Sequence, residues 1–77
     1  MAEVDREIED LAAKLGALKA ELKDDYWMDA GVRDLQAALR KQLGSYAAWA
    51  ADKDPLHQRT RTAARYEAQY AHLLWPR

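Results

Sequence analysis

The chain has 77 residues, with 12 Lys+Arg against 13 Asp+Glu, two His and no Cys. That length holds one small domain, and below roughly 80 residues a lone core rarely supplies more than about 3–5 kcal/mol, so staples or oligomers are common. Without cysteine there is no disulfide, no thiolate metal site, no iron–sulfur cluster and no thiol nucleophile.

The opening residues are acidic where a secretory signal needs a basic region and an apolar run. The longest uncharged stretches, Gln42–Ala51 and Ala68–Pro76, have ten and nine residues. A membrane-spanning helix needs roughly 20. We therefore expect a soluble, cytoplasmic protein with no membrane role. Net charge is −1, but unevenly divided: residues 1–29 sum to −5 and residues 30–77 to +4. Such halves attract each other within one fold or across a dimer.

Only Val4, Ile8, Val32, Thr60 and Thr62 are β-branched, against 16 alanines, and no hairpin signal occurs. The expected fold is all-α. It is a small three-helix bundle, or a helical hairpin plus a third helix, completed by dimerisation, with helices over about 2–23, 30–53 and 55–75.

In the first helix Val4, Ile8, Leu11, Leu15, Leu18 and Leu22 are spaced 4, 3, 4, 3, 4. This is a heptad seam confined to an arc of about 80°, suited to a bundle or dimer contact. Acids come early and lysines later, as the helix dipole prefers. Gly16 falls off the seam, costs about 1 kcal/mol relative to Ala, and would permit close approach of another backbone.

The segment Asp24–Asp29 breaks the pattern. Tyr26, Trp27 and Met28 either plug the end of the bundle or form an aromatic anchor for a partner, since Trp and Tyr dominate interface hot spots. Asp29 is a suitable N-cap for the second helix. There Val32, Leu35, Leu39, Leu43, Tyr46 and Trp49 form the apolar stripe, and Gly44-Ser45 is expected to bend the helix at most.

Asp54 and Pro55 read as N-cap and first residue of the third helix, and Pro76 as its stop. Its apolar face is Leu56, Ala63, Tyr66, Tyr70, Leu73 and Leu74, with Arg59 in the middle. Such an Arg lies along the apolar surface and pairs with a carboxylate, here Asp52 or an acid of the first helix.

No catalytic pattern stands out. Ser45 is the only serine and lies in no nucleophile elbow. His57 and His72 are separated by about 22 Å along one helix and cannot share an ion. No glycine-rich phosphate loop is present, so no cofactor or metal is expected. The expected function is therefore a non-catalytic protein–protein interaction module: an adaptor, assembly subunit or inhibitor of the kind bacteria and phages use to block or bridge a larger machine. Its candidate anchors are Tyr26, Trp27, Met28 and Trp75, and we expect a homodimer. The alternative is a dimeric nucleic-acid-binding protein using Arg61, Arg65 and Arg77 on the polar face of the third helix. A sequence pI near 6.1 weighs against it. In a further alternative, Glu3, Glu7, Asp10 and Glu21 on one flank of the first helix imitate phosphates.

Overall fold

The computed structural model describes residues 2–53, 56 and 58–76. Three α-helices carry the fold: α1 (Ala2–Leu22), α2 (Ala30–Lys53) and α3 (Gln58–Leu74). A 3-10 segment, Lys23–Met28, joins α1 to α2. Among the described residues there is no strand, so the fold is all-α. No helix is long and apolar enough to cross a membrane among these residues. The expected Asp54–Pro55 start of the third helix, along with His57 and Arg77, lies outside the described residues.

The helices run up, down and up. Asp5 of α1 meets Arg59 and Tyr66 of α3, and Lys19 further along α1 meets His72 further along α3, so these two are parallel. Tyr46 late in α2 faces Arg59, while Gln36 early in α2 faces Leu73, so α2 is antiparallel to both. The molecule measures 42 × 24 × 15 Å. Its long axis is close to the roughly 36 Å expected of the 24-residue α2 at 1.5 Å per residue.

The core is formed by Ile8, Ala12 and Leu15 of α1, Tyr26, then Val32, Leu39, Leu43 and Tyr46 of α2, and Ala63, Leu73 and Leu74 of α3. Val4, Leu11, Leu18 and Leu22 pack against it half-buried. The heptad seam of α1 is thus not centred on the core. On a helical wheel of 100° per residue, the buried trio Ile8, Ala12 and Leu15 sits about 45° to one side of the seam's midline. This rotation carries Asp5 and Lys19 round to face α3, where both find partners.

In α2 the buried residues are Val32, Gln36, Leu39, Leu43, Tyr46 and Ala50, spaced 4, 3, 4, 3, 4. Gln36 occupies the seam place expected of Leu35, which is half-buried. The helix runs unbroken through Gly44-Ser45. Its start is fixed by Asp29, whose Oδ1 accepts from the Val32 N–H at 2.9 Å. A Cβ at Gly31 would come within 3.1 Å of that same oxygen, so glycine there leaves room for the cap.

Two expected close contacts are absent. A Cβ placed on Gly16 meets nothing within 4 Å, so Gly16 accommodates no neighbouring backbone in this fold. Leu56, expected on the apolar face of the third helix, is 68% exposed because α3 begins only at Gln58 and leaves it in a turn.

Candidate docking surface

The last turn of any α-helix has carbonyls without intrahelical partners. In α3 these are answered by side chains from every other part of the fold. Lys19 of α1 donates to the His72 carbonyl. The Tyr26 hydroxyl donates to the Leu73 carbonyl at 2.7 Å, and Gln36 Nε2 donates to the same oxygen at 2.9 Å. Arg40 donates through Nη2 to the Leu74 carbonyl. Two of the four donors are cations, which the negative end of the helix dipole favours. The Trp75 N–H closes the turn on Ala71 at 2.9 Å.

This cap separates the expected aromatic anchors. Tyr26 is fully buried and cannot be an anchor, because its ring packs in the core and its hydroxyl is committed to Leu73. Burial raises its pKa above the ordinary tyrosine value. Trp27 is half-buried, edge-on to Tyr26 at 5.0 Å, with Lys19 Nζ 5.4 Å from its ring centre. Met28 is 75% exposed and does not plug the bundle. Trp49 is half-buried against Tyr46 at 6.2 Å.

Trp75 is 53% exposed yet held in place. Its ring lies over the Arg40 guanidinium, 4.2 Å from centroid to carbon, and Arg40 is itself tied to Leu74. A cation–π contact of this kind contributes about 0.5–1 kcal/mol where exposed. Arg40 Nε is buried without a hydrogen-bond partner among the described residues. Shallow hollows flank the ring. One is lined by Arg40, Leu43, Gly44, Glu67 and Leu74, the other by Lys19, Trp27, Ala71, His72 and Pro76. Trp75, Trp27 and Met28 therefore share one end of the bundle, where α1 ends, α2 begins and α3 ends.

A second polar cluster lies towards the opposite end. Arg59 Nη1 stands 3.5 Å from Asp5 Oδ2 and donates to the Tyr46 hydroxyl at 3.2 Å. The Tyr66 hydroxyl donates to Asp5 Oδ1 at 3.3 Å. Arg59 thus finds its carboxylate on α1, as expected, whereas Asp52 pairs with Lys53. Burial, followed by the Asp5 and Glu9 carboxylates, pushes the Tyr66 hydroxyl up to about 12. Two tyrosines and one ion pair here tie α1 to α2 and α3.

Arg61 and Arg65 are exposed on α3, away from both clusters. The seam residues Ile8 and Leu15 are spent inside this chain. Among the described residues no group of three or more His, Asp or Glu could hold a metal ion. Sequence reasoning overlooked Lys19, Gln36 and Arg40. For Gln36 the signal existed, since Val32, Gln36, Leu39, Leu43, Tyr46 keep a strict heptad. For Lys19 and Arg40 there was none, because their value lies in reaching another helix's end. Comparisons with family models, with curated proteins and with solved structures find no match for this chain.

Proposed function

We propose that this chain is a non-catalytic protein-interaction module, an adaptor, assembly subunit or inhibitor, and that it docks through the end of the bundle bearing Trp75, Trp27 and Met28. The observation that carries the reading is Trp75: a large aromatic that is 53% exposed and at the same time clamped over Arg40. Covering an exposed indole removes a large apolar area from water, which favours association. One fixed beforehand loses little freedom on binding, which is where much association energy otherwise goes. Trp and Arg are the residue types most enriched in binding hot spots. Met28, 75% exposed at the same end, adds a flexible apolar contact that adapts to a partner's shape.

The test uses the purified chain as immobilised bait in a lysate of its source organism. Wild type is compared with Trp75→Ala and Met28→Ser, each checked for an unchanged helical circular dichroism spectrum. The reading expects a protein retained by wild type and lost or weakened at least tenfold with Trp75→Ala. Retention of the same proteins by all three folded baits would refute it.

A further inference from the structure

We infer that the partner taken up at the Trp75 end is a basic amphipathic protein surface, apolar where it meets the indole and edged with Lys or Arg that meet a rim of carboxylates. The inference rests on the reading of that end as a docking surface and adds the partner's chemistry.

Acids and bases both occur at this end, but the fold uses them differently. Lys19 donates to the His72 carbonyl, Arg33 to the Trp27 carbonyl and Arg40 to the Leu74 carbonyl. Three cations are thus turned onto the protein's own backbone, and Lys23 is the fourth. Of the acids, Asp29 has a comparable task as the cap of α2. Glu21, Asp24, Asp25, Asp34 and Glu67 are all exposed. The ion pairs among the described residues join Lys53 to Asp52 and Arg59 to Asp5, so none of these five carboxylates is paired. Six carboxylates against four cations leave this end at −2.

Glu67 shows the pattern at close range. It lines the same hollow as Trp75, together with Leu43 and Leu74. The Arg40 guanidinium at that hollow lies against the Trp75 ring and is held to Leu74, with its Nε buried. A lysine or arginine from outside can lay its stem along the apolar wall and bring its head to the Glu67 carboxylate. The exposed indole and Met28 supply the apolar centre of the contact.

The carboxylate rim decides between partners. An uncharged surface closing over Trp75 would strip water from the nearby carboxylates and give nothing back. An anionic surface, nucleic acid included, would be repelled, and a second copy docked end to end would meet its own acids. A cationic surface gains on both counts.

The probe is a dye-labelled 14-residue helical peptide of leucine and lysine, titrated with the full chain and followed by anisotropy at low salt. A twin with glutamate in place of lysine is the charge control. Trp75→Ala removes the ring. A rim variant carries Asp24→Asn, Asp25→Asn and Glu67→Gln. A remote variant, Glu3→Gln, Glu7→Gln and Asp10→Asn, removes the same charge early in α1. Circular dichroism checks that each stays folded. The inference expects the lysine peptide to bind at least tenfold tighter than its twin. Trp75→Ala and the rim variant should each weaken it at least tenfold, the remote variant less than threefold, and 0.5 M salt should weaken it too. No binding of the lysine peptide, equal binding of the twin, a rim variant that binds like wild type, or a remote variant that loses as much would overturn the inference. So would sedimentation velocity showing copies of the chain docked through Trp75. If these arms fail while Trp75→Ala still loses a protein captured from lysate, the basic partner is refuted and the docking surface stands. If Trp75→Ala loses neither peptide nor protein, both fall.

Discussion

Lys23 is the described non-glycine residue with positive φ, at 51°, immediately after the last residue of α1. This is where helices commonly place a left-handed glycine to turn the chain. A residue with a Cβ in that region costs about 1–2 kcal/mol. Glycine removes the clash but brings back about 0.5–1 kcal/mol of unfolded-chain entropy. The balance is a gain of about 0.5–1 kcal/mol for Lys23→Gly. For a domain of this size each kcal/mol moves Tm by roughly 4–8 °C, so a rise of about 2–8 °C is expected. Urea denaturation followed by circular dichroism measures the change directly, and the m-value should stay constant. Lys23→Ala is the control, since it removes the same charge and stem but keeps the Cβ. The reasoning fails if Lys23→Gly is no more stable than Lys23→Ala.

Three further outcomes follow from the same structure. Tyr26→Phe and Gln36→Met each remove one of two donors to the buried Leu73 carbonyl, and each should cost about 1 kcal/mol. Combined, they leave that oxygen unpaired, so the double variant should lose about 1–3 kcal/mol beyond the sum of the two, a coupling that a double-mutant cycle in urea reads directly. Gly16→Ala and Gly44→Ala each place a methyl where nothing lies within 4 Å, and thermal melts should show about 1 kcal/mol of stabilisation from either. Stability should also fall in alkali. Tyr66 is raised to about 12, and Tyr26 and Tyr70 are raised in the same direction, so the folded state holds protons that the unfolded state releases first. The contribution is complete below pH 10 and is lost as pH rises from there through about 12. Tyr66→Phe should flatten the decline, and a decline just as steep in that variant would contradict the assignment.

The periodicity of the sequence carried the helices and their order, and side-chain chemistry carried the Asp29 cap and the pairing of Arg59 with an acid of α1. The rest depends on geometry that spacing does not encode. A heptad marks which side of a helix is apolar, but not the rotation that buries Ala12 of α1 and turns Asp5 and Lys19 towards α3. Tyr26 and Trp27 are neighbours in sequence with the same apparent promise. One is buried because its hydroxyl reaches a helix end, and the other is left at the rim. Arg40 looked like an ordinary surface cation. Its importance comes from α3 ending beside it, 34 residues along the chain. Trp75 was recognisable as a candidate anchor by residue type alone, while its clamp was not.

The central claim is that Trp75 is a surface residue kept for another protein chain. A protein carrying Trp27→Phe and Trp49→Phe, with Trp75 as sole tryptophan, tests it through the indole's emission and acrylamide quenching from nanomolar to 100 µM. The account predicts red-shifted, freely quenched emission for the chain alone, with a blue shift and protection when a protein retained by the wild-type bait is added. Emission already blue-shifted and protected at nanomolar concentration would place the ring inside its own core and contradict the account.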